Sequence, residues 1–319
     1  MSVNFPVRAA FIERNGYFCR NFEEMQALFF YLTYPFIFLI ASLPFPLLYF
    51  VSDCCYYLIR LVGYRRNVVL RNLRNSFPEK TDAEIVTIAN DFYRFLCDLF
   101  LETLKTMSIT EEELKRRCTF AKLEWISTLH RNNRSMIVVM GHSGNWEWAG
   151  SAFALATPYT LLGAYRPLEN RFFDRMMLRL RTRFGMRLVP APNILRQMVA
   201  TRNEVTATAL IADQTPRKKD AYWMEFLHQD TPIFTGPEKL AKKFNYPVVF
   251  MNIRRRKRGY YDIDAELLFD NPVQTAEGEI TEAFTRRLEA EIRRQPTYWL
   301  WSHKRWKHKR IPDGTVAQA

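Results

Sequence analysis

The N-terminal part of the chain is dominated by one uncharged, strongly apolar run. It extends from Met25 to Ser52, and 28 residues are enough to cross a bilayer as a helix. Three prolines interrupt the run, at Pro35, Pro44 and Pro46. We therefore expect a kinked span or a re-entrant membrane anchor rather than one straight helix. A buried core helix is the alternative.

The residues around this run indicate how the anchor is used. Acidic residues precede it and no small-residue cleavage site follows it, which argues against a secretory signal. More arginines follow the run than precede it, so the rest of the chain is expected on the cytoplasmic side of the membrane. The five cysteines form no C-x-x-C pair, which suggests a reducing compartment and neither a zinc site nor a disulfide framework.

Further along the chain, short apolar runs alternate with amphipathic stretches. Strands are predicted at 136–140, 159–164, 206–211 and 247–253. Helices are predicted near 146–155, 169–184, 193–202, 236–244 and 279–293, and also over 67–107 with a break at Phe77-Pro78. This alternation is typical of an α/β domain with helices on both faces of a sheet. We predict one such αβα domain at 61–319, behind an N-terminal membrane-anchoring helical segment at 1–60.

Charge narrows the class of partner. The formal net charge is +13 and 15% of the residues are aromatic, which favours a polyanionic partner. No nucleic-acid-binding module is recognisable, so we expect no nucleic acid partner. Basic runs at 217–219, 254–258 and 299–310, the last rich in tryptophan, instead suit a domain lying on an anionic membrane surface.

The clearest chemical signal follows the predicted strand at 136–140. His142 lies on the turn after that strand, and Glu147 lies in the first turn of the next predicted helix. A histidine in this position can take a proton from a hydroxyl, while a carboxylate fixes its tautomer and stabilises the imidazolium. The spacing alone also fits a structural histidine, so the pair needs support from elsewhere in the chain.

That support comes from the ends of two other predicted strands. Arg166 follows the strand at 159–164, and Asp213 and Gln214 follow the strand at 206–211. Polar residues at the C-terminal ends of strands in an open α/β sheet usually line a ligand crevice. We therefore expect His142, Arg166 and Asp213 at one edge of the sheet, with the Arg166 guanidinium able to hold a phosphate or carboxylate. The alternative for Arg166 is a surface ion pair.

Taken together, the motifs resemble those of the late acyltransferases of lipid A biosynthesis, the lauroyl/myristoyl family within the lysophospholipid acyltransferase group. The resemblance runs from about residue 60 to residue 310. Its motifs match Gly141 to Glu147, Tyr165 to Pro167, Asp213-Gln214, Thr235 to Pro237, and Trp301 with His303 and Arg305. The basic stretch after Gln214 and the Phe226-Leu227-His228 segment depart from the family pattern, which affects the expected acyl length and acceptor more than the reaction.

The resemblance implies a lysophospholipid-acyltransferase-like fold with a central mixed sheet. It implies O-acyl transfer from an acyl thioester, on acyl carrier protein or coenzyme A, to a hydroxyl of a phosphorylated glycolipid, the lipid A precursor. His142 would be the general base and Glu147 would orient it, while Arg166 would hold a phosphate. Asn145, Asp213 and Gln214 would lie on the substrate-binding side, Asp213 without a firm role. No metal or cofactor is implied.

Three rival interpretations stay open at this stage. The same chemistry could serve another acceptor, such as a lysophospholipid, a phosphoinositide mannoside or an aminolipid. A non-catalytic membrane-binding protein could keep the fold, although the intact His142 and Glu147 argue against it. A hydrolase using His142 is a third possibility, but no Gly-x-Ser-x-Gly motif supplies a nucleophile.

Overall fold

The fold was derived from a computed structural model, which describes residues 6–121, 123–216, 221–310 and 316–318, with side chains described from residue 23 to residue 310 of these ranges. The basic run at 217–219 lies outside the described residues. The helices in the described residues are α1 (Pro6–Ser42), α2 (Phe45–Val62), α3 (Arg66–Ser76), α4 (Asp82–Lys105), α5 (Glu111–Arg117), α6 (Glu124–Arg131), α7 (Trp146–Ala156), α8 (Arg171–Thr182), α9 (Ile194–Ala200), α10 (Gly236–Phe244) and α11 (Glu279–Arg294).

A seven-stranded mixed sheet forms the centre of the fold, in the order β1-β9-β8-β2-β5-β3-β4. Its strands are β1 (Cys118–Ala121), β2 (Met136–Met140), β3 (Thr160–Tyr165), β4 (Arg187–Pro190), β5 (Thr206–Ile211), β8 (Val248–Lys257) and β9 (Tyr260–Phe269). Two hairpins lie outside it, β6 (Ala221–Phe226) with β7 (Gln229–Phe234) and β10 (His308–Arg310) with β11 (Val316–Gln318).

The five strands from β8 to β4 are parallel to one another, and only β9 and β1 run the other way. Met140 at the end of β2 pairs with Ile211 at the end of β5. Gly163 in β3 pairs with Ala209 in β5. The C-terminal ends of β2, β3 and β5 therefore lie at the same edge of the sheet, as a crevice for a ligand requires.

Helices cover both faces of this sheet. Ile137 and Val139 of β2 point to one side and pack in a core cluster with the α11 residue Phe284. Val138 points to the other side and packs in a second cluster with the α7 residue Trp148. This alternation of buried residues on a strand follows from the two-residue period of the β conformation. The predicted three-layer αβα architecture with a central mixed sheet is thus confirmed.

The apolar N-terminal run forms two helices rather than one. The helix is interrupted at Leu43-Pro44, because Pro44 has no N–H group to continue the hydrogen-bond ladder of α1. Both Glu23–Ser42 and Phe45–Val62 are long and apolar enough to cross a membrane, and only 6% and 17% of their residues are buried. The alternative of a buried core helix is therefore wrong. The Lys105 ammonium on α4 holds the break by donating to the carbonyls of Ala41 (3.0 Å) and Leu43 (2.7 Å).

The basic run at 254–258 has a structural role that its composition does not reveal. It forms the end of β8, where Arg254 and Arg256 pair with aspartates of the neighbouring β9. Arg255 and Arg258 both bind the buried Asp98 of α4 at 2.7 Å. Carboxylates of the protein pair with these arginines, so the run is not a free basic patch, and its contact with a membrane surface stays a prediction.

Candidate active site

The turn after β2 needs glycine at two positions. A Cβ atom on Gly141 would lie 2.6 Å from the Leu288 side chain of α11, and one on Gly144 would lie 2.5 Å from the Ile253 carbonyl oxygen. Gly144 also has a φ of +58°, a conformation that other residues adopt only with strain. The two glycines let the turn pack tightly between β8 and α11, and this packing fixes the backbone of His142.

Asp213 binds His142 through two atoms. The His142 backbone N–H donates to Asp213 Oδ2 at 2.7 Å, and the His142 ring atom Nδ1 lies 2.6 Å from Asp213 Oδ1. The Trp299 indole N–H donates to Asp213 Oδ2 as well, at 2.7 Å. Burial would raise the pKa of Asp213, but the charge and hydrogen bonds of His142, together with Trp299, outweigh it and lower the pKa to about 2.

An ionised Asp213 sets the tautomer of His142. A carboxylate can only accept hydrogen bonds, so Nδ1 carries the proton and Nε2 keeps its lone pair. Nε2 lies 3.4 Å from the amide nitrogen of the exposed Gln214, and 17% of the His142 side chain is exposed. The Trp146 ring packs edge-on against the imidazole, with centroids 5.0 Å apart. A basic nitrogen held in one orientation at an accessible surface is what general-base catalysis requires.

Glu147 does not orient His142, contrary to our expectation. Both of its carboxylate oxygens are bound by the Arg181 guanidinium of α8, Oε2 at 2.7 Å from Nε and Oε1 at 2.6 Å from a terminal nitrogen. This bidentate ion pair is the geometry that the arginine fork favours. It joins the first turn of α7 to the end of α8, so Glu147 connects two helices beside the site instead of completing the dyad.

The resemblance implies a substrate-binding position for Asn145, but the structure does not place its side chain where a substrate could reach it. Its side chain is fully buried and caps α7, where Oδ1 accepts from the Trp148 backbone N–H at 2.8 Å. Its amide donates to Glu102 Oε2 at 2.7 Å. The Tyr261 hydroxyl donates to the same buried carboxylate oxygen at 2.6 Å. Asn145 therefore anchors the start of α7 to α4 and β9.

Backbone groups of the turn after β2 also form hydrogen bonds with the C-terminal segment. The Gly144 N–H donates to the Tyr298 carbonyl at 3.0 Å, and Ser143 forms an isolated antiparallel bridge with Trp299. The Gly144 N–H therefore already has a partner and is not available to stabilise an oxyanion.

Arg166 and Gln214 stay substrate-binding predictions. Both side chains are exposed, and each residue follows a strand that ends at the edge where His142 lies. In the described part of the chain, Arg166 pairs with no carboxylate. The alternative of a surface ion pair for Arg166 thus finds no partner among these residues. Gln214 contacts the Nε2 atom of His142, whereas no contact described for Arg166 establishes a role.

The site residue that sequence reasoning missed is Trp299, although its motif was visible. The aromatic and basic run at 299–310 was expected at a membrane surface, but Trp299 and Trp301 are 2% and 0% exposed. The Asn72 amide fixes the run by donating to the carbonyls of Trp301 (2.9 Å) and His303 (3.0 Å). The buried Trp299 and Trp301 therefore do not contact a membrane surface, and the expectation is wrong for these two residues.

Two basic groups of the same segment lie behind the dyad. Burial lowers the pKa of His303 to about 4, although the charge of Asp213 opposes this shift. Burial also lowers the pKa of Arg305 to about 10, again against the charge of Asp213. Arg305 is 1% exposed and donates to the Pro232 carbonyl at 2.7 Å. A buried cation near Asp213 favours the ionised carboxylate.

Comparison with known proteins identifies the class as an acyltransferase. A family model described as bacterial lipid A biosynthesis acyltransferase matches residues 17–308, and the chain therefore belongs to this family. The lipid A biosynthesis palmitoleoyltransferase of Escherichia coli (strain K12) is 22% identical over 281 residues, 86% of this chain and 90% of that protein. A lipid A biosynthesis acyltransferase of Haemophilus influenzae (strain ATCC 51907 / DSM 11121 / KW20 / Rd) is 25% identical over 280 residues, 86% and 88% of the two chains.

Proposed function

We propose that this acyltransferase moves a fatty acyl chain from an acyl thioester to a hydroxyl of a phosphorylated lipid A precursor, with His142 as the general base. The observation that carries the proposal is the buried Asp213 carboxylate, which binds both the ring and the backbone of His142 and leaves Nε2 as the unprotonated nitrogen. Asp213 takes the orienting role that we first gave to Glu147.

The proposed reaction has two steps. In the first, the acceptor hydroxyl gives its proton to His142 Nε2 while its oxygen attacks the thioester carbonyl, forming a tetrahedral oxyanion. In the second, the intermediate collapses, the carbon–sulfur bond breaks, and the thiolate leaves with the proton from His142. The products are the acyl ester and a free thiol. Asp213 stays ionised throughout and stabilises the imidazolium between the two steps.

A basic cavity supports acyl carrier protein as the donor, with acyl-CoA as the alternative. The cavity has a volume of about 600 Å³ and lies between α3, β7 and the C-terminal segment. Its cationic lining residues are Arg71, Lys304, Lys307, Lys309 and Arg310. Lys304 adjoins His303, whose ring nitrogen lies 3.4 Å from the backbone nitrogen of Thr215, two residues after Asp213. An acidic carrier protein or a phosphorylated cofactor arm would be attracted to this surface beside the site.

Charge and the apolar helices support the proposed acceptor and location. Arg166 is an exposed cation at the sheet edge of His142, and we assign it to a phosphate of the acceptor. The helices α1 and α2 expose large apolar side chains and are both packed on α4, so the domain would lie directly against the membrane. We propose the cytoplasmic face of the inner membrane, the side expected from the distribution of arginines.

The proposed function is tested by mass spectrometry of lipids after incubation with acyl carrier protein thioesters and a panel of acceptors. The matched variants are His142→Ala and His130→Ala, because His130 lies on α6 with its ring against Tyr159 and away from the site. We expect a mass gain of one acyl chain on the lipid A precursor with wild type and His130→Ala, and none with His142→Ala.

Other outcomes separate the parts of the proposal. A His142-dependent gain on a different lipid would keep the chemistry and replace the acceptor. A gain with acyl-CoA alone would replace the donor. If His142→Ala transfers the acyl group at the wild-type rate, the proposed base is wrong.

A further inference from the structure

A groove between α1 and α8 combines apolar walls with a cationic edge. It has a volume of about 240 Å³ and is separate from the His142 site. One wall is the aromatic side of α1, formed by Phe30, Tyr31 and Tyr34. The groove is open to the surroundings of α1, a helix of which only 6% is buried between Glu23 and Ser42. A ligand could therefore enter it from the medium around the apolar helices.

The opposite wall carries a repeated pair of residues. Helix α8 contains an arginine followed by an apolar residue three times, at intervals of four: Arg171-Phe172, Arg175-Met176 and Arg179-Leu180. Residues four apart lie on the same side of a helix, so the arginines form one ridge and the apolar residues form another beside it. The groove is lined by Phe172, Met176 and Leu180 together with Arg175 and Arg179.

The first arginine differs from the other two. Arg171 pairs with Glu23 of α1 at 3.0 Å, which fastens the outer ends of the two helices together. Phe30 reinforces this junction by packing against Phe172 and Phe173, with ring centroids 5.8 Å and 5.1 Å apart. Arg175 and Arg179 are exposed, and within the residues described here neither pairs with a carboxylate. Two cations are thus displayed along an apolar groove whose far wall is a candidate membrane helix.

The inner end of the groove lies close to the active site. Leu180 and Met107 are found there, and the next residue after Leu180 is Arg181, which holds Glu147 at the start of α7. Arg183 donates to the Thr106 carbonyl and so fixes Met107 relative to α8. The groove therefore runs from α1 toward the helix that begins directly after the His142 turn.

We propose that this groove binds a phosphate-bearing lipid taken from the membrane, with Arg175 and Arg179 holding a headgroup phosphate and the α1 aromatic wall holding an acyl chain. The assignment to the acceptor lipid rests on the proposed function. Guanidinium groups suit phosphate, and the parallel apolar ridge suits the hydrocarbon attached to it. A free anion would use only the arginines, and a soluble apolar ligand would use only the aromatic wall.

The test measures lipid retention by native mass spectrometry on detergent-solubilised full chain carrying His142→Ala, so that no turnover occurs. The ligands are the phosphorylated lipid A precursor, the same lipid after removal of its phosphates, and phosphatidylglycerol. The variant is Arg175→Gln with Arg179→Gln. The charge-matched control is Arg196→Gln with Lys243→Gln, which removes two exposed cations on α9 and α10.

We expect the groove variant to lower retention of the phosphorylated precursor about 100-fold, which is about tenfold for each charge-assisted hydrogen bond lost, and to leave the dephosphorylated lipid unchanged. The control pair should retain both lipids as the parent protein does. Phe172→Ala, which opens the apolar wall, should lower retention of both lipids to a similar extent.

Two results would contradict the proposal that this groove binds a lipid phosphate. One is equal retention of phosphorylated lipid by the groove variant and its parent, and the other is an equal loss in the charge-matched control. A different result would be retention of phosphatidylglycerol that depends on Arg175 and Arg179, with no retention of the precursor. It would support lipid binding by the groove and contradict the proposed acceptor.

Discussion

Asp213 accepts hydrogen bonds from both the backbone and the ring of His142, at 2.7 Å and 2.6 Å. The two residues are 71 positions apart in the chain, yet each stands two residues beyond the end of its strand. Because Met140 and Ile211 are paired across β2 and β5, the register of the sheet brings the two side chains together. The dyad is thus a property of the sheet and not of the local motif around His142.

Removal of the Asp213 charge should act on the chemical step. We expect Asp213→Asn to lower kcat about 10²- to 10⁴-fold, the usual contribution of general-base catalysis, with little change in KM. An asparagine can present its amide to Nδ1 and so favour the wrong tautomer of His142. Initial rates at varied acceptor concentration measure this, with Asp270→Asn as control, because Asp270 is exposed and pairs with Arg134. A wild-type kcat in Asp213→Asn would contradict the dyad.

Glu147→Gln should behave differently, because Glu147 holds Arg181. We expect a loss of about 1–3 kcal/mol in the free energy of unfolding, since the Arg181 guanidinium is left without its ionised partner. The pH profile of kcat should keep its wild-type shape, because the His142–Asp213 pair is untouched. Urea unfolding and a pH–rate series measure the two effects.

A double-mutant cycle sharpens this prediction. In the Arg181→Gln background, Glu147→Gln should cost less than it does alone, because the interaction between the two residues is already lost. A shift of the kcat pH profile in Glu147→Gln, with no such coupling to Arg181, would restore Glu147 to the role of orienting His142.

Asn145→Ala should destabilise the protein without weakening acceptor binding. The loss of the α7 cap costs about 0.5–2 kcal/mol, and the buried Glu102 carboxylate loses a donor, which adds about 1–3 kcal/mol. Thr110→Ala is the matched control, since Thr110 caps α5 by accepting from the Glu113 backbone N–H and serves no buried carboxylate. Thermal unfolding should rank Asn145→Ala as the more damaging. A raised acceptor KM at unchanged stability would make Asn145 a binding residue after all.

Acid should weaken the protein through Asp213 over a defined range. Folding lowers the pKa of Asp213 from 3.8 to about 2, so the carboxylate stabilises the fold fully above its unfolded pKa. This contribution is lost as pH falls through the folded pKa. We expect the difference in unfolding free energy between wild type and Asp213→Asn to shrink by about 2 kcal/mol from about pH 5 to pH 2. A constant difference over this range would mean that Asp213 is not an ionised partner of His142.

Sequence patterns predicted the regular elements of the α/β core well. The structure has β2 and β5 at the predicted 136–140 and 206–211, and α10 at the predicted 236–244. The hairpin of β6 and β7 was missed, because its turn uses Leu227 and His228 at φ values of 51° and 61° without a glycine or asparagine. The strand β9 was missed because acidic residues pair there with the arginines of β8, so no apolar alternation is visible.

The sequence predicted where the site lies, but not which carboxylate pairs with His142. Strand ends placed His142, Arg166 and Asp213 at one edge, and the parallel order of β2, β5 and β3 confirms that placement. Glu147 was preferred as the partner of His142 because it is close in sequence. Glu147 lies in the first turn of α7 and binds Arg181 instead. This contact depends on how α8 packs against α7, which the sequence does not show. The sequence contains one signal for Trp299, which lies two residues before the motif residue Trp301.

The hydrogen bond from Trp299 to Asp213 has a consequence for biosynthesis. A ribosome completes the apolar helices and the His142 turn long before it adds Trp299, which must emerge before the indole can reach Asp213. Until then Asp213 would hold His142 without accepting its third hydrogen bond. A product cut short between β9 and Trp299 would lack this hydrogen bond, and its Asp213 carboxylate would be less firmly fixed.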